Sequence, residues 1–388
     1  MVGQPRTARS GRAGSPRNDS CARRSVTTHL RYDCGDRRSG TGLRPPARPW
    51  LRAALTPLSW IYGTWMTRRN SRYDRPGAAE RVSVPVVSVG NLSVGGTGKT
   101  PMVRWLAETM LARGTPTAIV SRGYGGSAGA GPVVVSHGGG ARCAATVAGD
   151  EPWMLANAVA GAIVVVGSNR TAGARKAVEL GARLVLLDDG FQHRALARDL
   201  DIVLLDRTRP FDRDRLLPSG YLREPASSLA RADWIVITRS PSPLGAERLH
   251  DAIRASNPSA RILHADHRTA GFIDADGGAA PRPSRAVAFC AIGNPDRFRT
   301  DLERLGVSIA AFHAYGDHRT IDRTLLGRLR RRAADEAATL VTTEKDLARI
   351  GTVAASRAGL LMLAIRTEIP DGERLIEAIE RITSGRPS

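Results

Sequence analysis

The segment 84–100, VPVVSVGNLSVGGTGKT, joins an apolar β-branched run to a glycine-rich turn that closes on Lys99 and Thr100. A buried strand, such a turn and a following helix make a phosphate cradle. Backbone N–H groups wrap the anion, the lysine adds a mobile charge, and the threonine hydroxyl can hold a divalent cation. Gly95, Gly96, Thr97, Gly98, Lys99 and Thr100 are therefore the nucleotide-binding candidates. Glycine is required where the loop visits φ > 0 and approaches the phosphate closely. One position departs from G-x-x-x-x-G-K-[ST], because Ser93 stands at the first glycine. Among 57 basic residues only Lys99, Lys176 and Lys345 are lysine. A compact ammonium threads into a phosphate loop where a rigid guanidinium fork does not. The chain reads as an NTP-binding protein.

Its 388 residues are enough for a large core and predict two domains. The formal charge of +20 is almost entirely arginine, without aromatic-interleaved basic stretches or zinc-finger spacing, so no nucleic-acid partner is expected. An anionic substrate or membrane surface fits that charge. Cys21, Cys34, Cys143 and Cys290 are scattered, which argues against a disulfide framework or zinc ribbon. No apolar run reaches the length of about 18 residues that a spanning helix needs.

Residues 1–48 carry eleven arginines against three aspartates and read as a disordered Arg-rich extension. Residues 49–83 contain Trp50, Trp60 and Trp65 with Leu51, Leu55, Leu58, Ile61 and Met66, flanked by Arg52, Arg68, Arg69 and Arg72. This predicts an amphipathic membrane-associating helix region, with a helix packed on the domain as the alternative. Pro57 should bend or restart that helix.

From residue 84, strands at 84–90, 116–121, 132–136, 162–167, 183–188, 201–206 and 233–238 alternate with helices at 100–113, 151–159, 170–180 and 243–256. Continuously apolar strands such as RLVLLDD belong in a parallel sheet covered on both faces. The predicted fold class is α/β: a P-loop NTPase-like, doubly wound sheet domain over 84–266 and a smaller second α/β domain over 284–388. The Gly/Pro/Ala-rich stretch 267–283 between them reads as a linker, with room for a short hairpin.

Strand 183–188 ends in Asp188-Asp189-Gly190-Phe191-Gln192-His193. An acid there is what a Walker B position needs for Mg²⁺, although paired aspartates also cap turns. In Gly149-Asp150-Glu151-Pro152, one acid can serve Mg²⁺ and the other accept a hydroxyl proton; Asp150 reads equally as a helix N-cap. His318, in AYGDHRTID, can reach across an interdomain cleft to a carboxylate or simply sit in a loop. Arg122 and Tyr124 in SRGYGG, Arg170, His193, and Arg223-Glu224 in LPSGYLREP are the substrate-binding candidates.

In this order, GNLSVGGTGKTP, SRGYGG, GDEP, LDDGFQH, LLPSGYLREP, the GDH turn and TTEKD resemble the tetraacyldisaccharide 4'-kinase family of the lipid A pathway, from about Trp50 to the C-terminus. The resemblance implies a peripheral kinase on the cytoplasmic face of the bacterial inner membrane. It would use ATP and Mg²⁺ to phosphorylate the 4'-hydroxyl of a tetraacyldisaccharide 1-phosphate, giving lipid IVA, and would act as a monomer. By resemblance, Asp150 is the base, aided by His318; Thr100, Glu151 and Asp188 serve magnesium; Lys99 and Asp189 act in catalysis. Two departures stand out: relatives read GPLREP where this chain has Gly220-Tyr221-Leu222-Arg223, and Arg319 replaces a second histidine of the DH turn.

Overall fold

The computed structural model describes residues 49–129, 131–316 and 319–385. The Arg-rich extension 1–48 and His318 lie outside the described residues.

Two helices open the described chain, α1 (Pro49–Ala54) and α2 (Thr56–Arg72), with the break falling where Pro57 enters the first turn of α2. Next come β1 (Val86–Asn91), α3 (Lys99–Ala112), β2 (Thr117–Ser121), β3 (Val133–His137), α4 (Ala145–Ala148), α5 (Asp150–Ala158) and β4 (Ile163–Val166). The first half continues with α6 (Arg170–Glu179), β5 (Leu184–Asp188), β6 (Leu200–Asp206), β7 (Trp234–Thr238) and α7 (Glu247–Ser256). After β8 (Arg261–Ile273) and β9 (Ala279–Ala280) follow β10 (Arg285–Cys290), α8 (Pro295–Arg304), β11 (Ser308–Ala314) and α9 (Arg323–Asp335). The chain closes with β12 (Thr339–Thr343), α10 (Glu344–Ile350), α11 (Thr352–Arg357), β13 (Leu361–Glu368) and α12 (Glu373–Ser384).

Among the described residues these strands form one sheet in the order β11-β10-β12-β13-β8-β7-β6-β1-β5-β2-β4-β3, with β9 paired to β8. Strands β1, β2, β4, β5, β6 and β7 are parallel and buried along their whole length, as their unbroken apolar runs require. The α/β expectation therefore holds. Asp188 lies opposite Val89 because β5 is hydrogen-bonded to β1, which brings the Asp-Asp turn beside the phosphate loop.

The segment 267–283 forms a hairpin as the chain allows, but as part of the sheet rather than as a linker. Residues 261–265 pair in parallel with β7, and 266–273 continue as the same strand, antiparallel to β13. Long-range pairing with β13 supplies the ladder bonds, so a stretch poor in apolar residues still forms a strand. The hairpin to β9 closes it. Through β8 the sheet of the first half runs unbroken into that of the second.

Met102, Leu106 and Met110 of α3 share one core cluster with Leu155 of α5 and with Leu375, Ile376 and Ile379 of α12. The last helix thus packs on the first half, and Arg113, just after α3, donates to Glu373 and Glu380 of α12. The second half builds its own cores around Phe289, Leu329 and Met362 on one side and Phe298, Leu302 and Val341 on the other.

Candidate active site

The phosphate loop follows β1. Val94 N–H donates to Tyr221 O and Arg223 N–H to Leu92 O, so Ser93 sits in an isolated antiparallel bridge with Leu222. An extended residue needs no glycine, which accounts for the departure at that position. Gly98 caps α3 at φ 88°, a left-handed conformation that favours glycine. A Cβ at Gly98 would also lie 2.8 Å from His267 Nε2. Gly95 and Gly96 are exposed, Asn91 donates to Thr97 Oγ1 at 2.8 Å, and Arg239 donates to Gly96 O at 2.9 Å. Thr100 lies in the first turn of α3, half-buried.

Lys99 Nζ stands 3.6 Å from Asp189 Oδ1, and Arg223 donates to both oxygens of that carboxylate at 2.9 and 2.8 Å. Burial alone would raise the Asp189 pKa, but Lys99 and Arg223 outweigh it and hold it at about 2. Asp188 is in the opposite position. It is buried, Ser121 Oγ donates to Oδ2 at 3.1 Å, and Oδ1 has no partner among the described residues. Burial, with the charges of Glu151 and Asp189, pushes it up to about 7 despite Lys99.

Asp150 and Glu151 open α5, and each meets a cation from α10: Arg349 Nε donates to Asp150 Oδ2 at 2.8 Å, and Lys345 Nζ to Glu151 Oε1 at 3.1 Å. Asp150 does not act as the side-chain N-cap of α5; that cap is Gly149. Burial works against ionised Glu151, but Lys345 and Lys99 bring its pKa down. Sequence reasoning carried TTEKD only as part of a resemblance and assigned no role to Lys345 or Arg349. Their signal was that Lys345 is one of three lysines.

Magnesium fits this donor set. Asp188 offers an unpartnered buried oxygen, and Glu151 and the Thr100 hydroxyl lie at the same end of the sheet. No three His, Cys, Asp or Glu side chains among the described residues make a ligand shell alone. Magnesium keeps several waters and takes one or two carboxylates plus phosphate oxygens.

Of the substrate candidates, Arg170 and His193 are gathered on the acid side. Arg170 is buried, donates to Ser168 O at 3.3 Å, and leaves Nε without a partner; burial and Arg122 lower its pKa. His193 also has an unpartnered buried Nε2, and burial with Arg170, Arg198, Arg69 and Arg122 drives it down to about 4. Arg122 and Tyr124 are exposed on the loop after β2. Arg223 clamps Asp189, and Tyr221, at the GPLREP departure, stacks beneath Arg209 at 4.2 Å. Glu224 Oε1 is buried without a partner among the described residues. The residue is fully buried and its Oε2 accepts from Asn70 and Arg231 at 2.9 and 2.8 Å, so its charge anchors α2.

That anchoring sets the orientation of α2. Ser59, Gly63, Met66 and Asn70 face inward; Ser59 Oγ donates to Leu216 O and Tyr62 Oη to Arg223 O. Trp60 and Trp65 are 73% and 58% exposed, and Trp50, Leu58 and Ile61 are exposed with them. The helix both packs on the domain and turns its aromatics outward. No helix among the described residues is long and apolar enough to cross a membrane.

The profile of the family described as Tetraacyldisaccharide-1-P 4'-kinase matches residues 51–384. A tetraacyldisaccharide 4'-kinase of Syntrophotalea carbinolica is 42% identical over 79% of this chain and 87% of its own length. That of Dinoroseobacter shibae is 39% identical over 87% and 95%. The crystal structure of LpxK from Aquifex aeolicus in complex with ATP superposes with a TM-score of 0.72 at 31% identity, covering 86% of this chain and 99% of that one. A lysine phosphate loop, paired acids on the adjacent strand and a match spanning nearly every described element lead to one conclusion: the chain belongs to the tetraacyldisaccharide 4'-kinase family.

Proposed function

We propose that this protein transfers the γ-phosphoryl group of ATP to the 4'-hydroxyl of tetraacyldisaccharide 1-phosphate, giving lipid IVA and ADP. The observation that carries the reading is the meeting of Lys99, Asp188-Asp189 and Asp150-Glu151 at one end of the sheet. Phosphoryl transfer asks a protein mainly for positioning and charge neutralisation. The backbone of Gly95 to Lys99 and the Lys99 ammonium hold the nucleotide phosphates. Asp150 takes the proton of the sugar hydroxyl as its oxygen bonds to the γ-phosphorus and the bond to the ADP oxygen breaks. His318 supports Asp150 in this assignment. Asp188, Glu151 and Thr100 would hold magnesium, which when bound neutralises charge on the phosphate oxygens. Arg170 Nε and His193 Nε2, buried without a partner among the described residues, and the exposed Arg122 are the groups that would meet an anionic substrate.

An acceptor with several acyl chains stays in a bilayer, so the enzyme must come to it. The exposed Trp50, Trp60, Trp65, Leu58 and Ile61, with Arg68 and Arg72 exposed on the same helix, support docking on the inner-membrane surface from the cytoplasmic side. The test is transfer of label from γ-labelled ATP to the purified lipid in Mg²⁺-containing micelles. Label should enter the lipid with the intact protein, vanish with Lys99→Ala, and fall roughly 10²–10⁴-fold with Asp150→Asn. ATP hydrolysis without lipid labelling would refute the assignment.

A further inference from the structure

Helix α10 supplies two cations to two consecutive acids of α5, and they are not equivalent. Lys345 is partly exposed and meets Glu151 through a flexible stem. Arg349 has a side chain only 5% exposed, and the protein fixes its guanidinium from behind. Its NH1 donates to Ala291 O at 2.6 Å and to Asp346 Oδ1 at 3.1 Å. Asp346 is itself fully buried. It accepts from Ala291 N–H at 3.2 and 3.1 Å and from Thr343 Oγ1 at 2.7 Å, while Thr343 Oγ1 also accepts from Asp346 N–H. The TTEKD word thus caps α10, aims Asp346 at the end of β10, and sets Arg349 one turn later with its Nε–H directed at Asp150.

The geometry points to Arg349 as a positioning residue for Asp150, fixing the direction in which its carboxylate faces. This rests on the reading of Asp150 as base. A guanidinium suits the task because its donors lie in a rigid plane: when NH1 is fixed on Ala291 and Asp346, the direction of Nε–H is determined. The carboxylate is thereby ordered before substrate arrives. A base held on a flexible side chain loses rate steeply with small misplacement. Because Asp150 belongs to the first half of the sheet and Arg349 to the second, the base is ordered only when both are folded against each other.

The experiment is a double-mutant cycle on the full-length protein, with Arg349→Gln, Arg349→Lys, Asp150→Asn and the two Arg349 variants combined with Asp150→Asn. Arg349→Gln should lower kcat by roughly 10- to 100-fold while KM for ATP stays within about twofold. Arg349→Lys, which keeps the charge but not the planar geometry, should fall between it and the parent. In the Asp150→Asn background, either Arg349 change should cost less than about threefold more. Effects that multiply in full would overturn the inference, as would a raised KM at unchanged kcat. If Arg349→Gln does not fold, the Arg349→Lys arm decides alone. A normal kcat for Asp150→Asn would remove the base reading itself; a slow Asp150→Asn with multiplicative Arg349 effects would remove only the role of Arg349.

Discussion

Replacing Asp188 by asparagine should stabilise the nucleotide-free protein above neutral pH, although the residue is buried at the heart of the site. Folding takes this carboxyl from 3.8 to about 7, through burial and the charges of Glu151 and Asp189. A group raised on folding contributes stability that is complete below its unfolded value and is lost as pH rises through its folded value. Between pH ~4 and ~8 that loss amounts to roughly 4 kcal/mol, at 1.36 kcal/mol for each pH unit separating the two values. Asparagine is isosteric, keeps an acceptor for Ser121 Oγ, and carries no charge to desolvate. At pH ~8 the Asp188→Asn protein should melt roughly 5 °C above the parent, and the gap should close at pH ~4. Thermal unfolding across that range measures it. The same scans with Mg²⁺ and a non-hydrolysable ATP analogue should stabilise the parent strongly and the variant weakly. If Asp188→Asn melts below the parent at pH ~8 without ligand, Lys99 and Ser121 already satisfy Asp188, and the argument that Asp188 is placed to hold a cation fails.

Two further outcomes test the docking helix and the seam beside the phosphate loop. Trp60→Ser with Trp65→Ser should leave the melting temperature unchanged, because both rings are exposed, and weaken binding to anionic phospholipid vesicles by roughly tenfold or more in sedimentation; unchanged sedimentation would place the docking surface elsewhere. Gly90→Ala would put a Cβ 2.5 Å from Phe191 Cβ and 2.7 Å from its backbone nitrogen, so urea unfolding should show a loss of about 1–3 kcal/mol, and an unchanged midpoint would mean that β1 and the LDDGFQH turn separate freely.

The contents of the phosphate loop, the Asp-Asp turn at the end of β5 and the alternation of strands and helices through residue 256 were legible in the chain itself. Each is a local pattern: an apolar run specifies a buried strand, and Gly, Lys and Thr within a few residues specify a phosphate turn whatever surrounds them. Residues 261–273 were not legible as a strand, because their partners come from β7 on one side and from β13, about a hundred positions later, on the other. The inward face of α2 was hidden for a related reason. Its buried residues include Ser59 and Asn70, whose partners lie on the loop around Leu216–Glu224, while the tryptophans that dominate its composition face out. That packing takes up one oxygen of Glu224, which the chain alone does not reveal. The same holds at the centre of the site. Asp150 and Glu151 announce an acidic loop, but only the folding of α10 against α5 decides that Arg349 orders the first and Lys345 neutralises the second. Local chemistry is written in neighbouring residues, whereas the charge and orientation of a buried carboxylate are set by whatever distant groups the fold brings within a few ångströms of it.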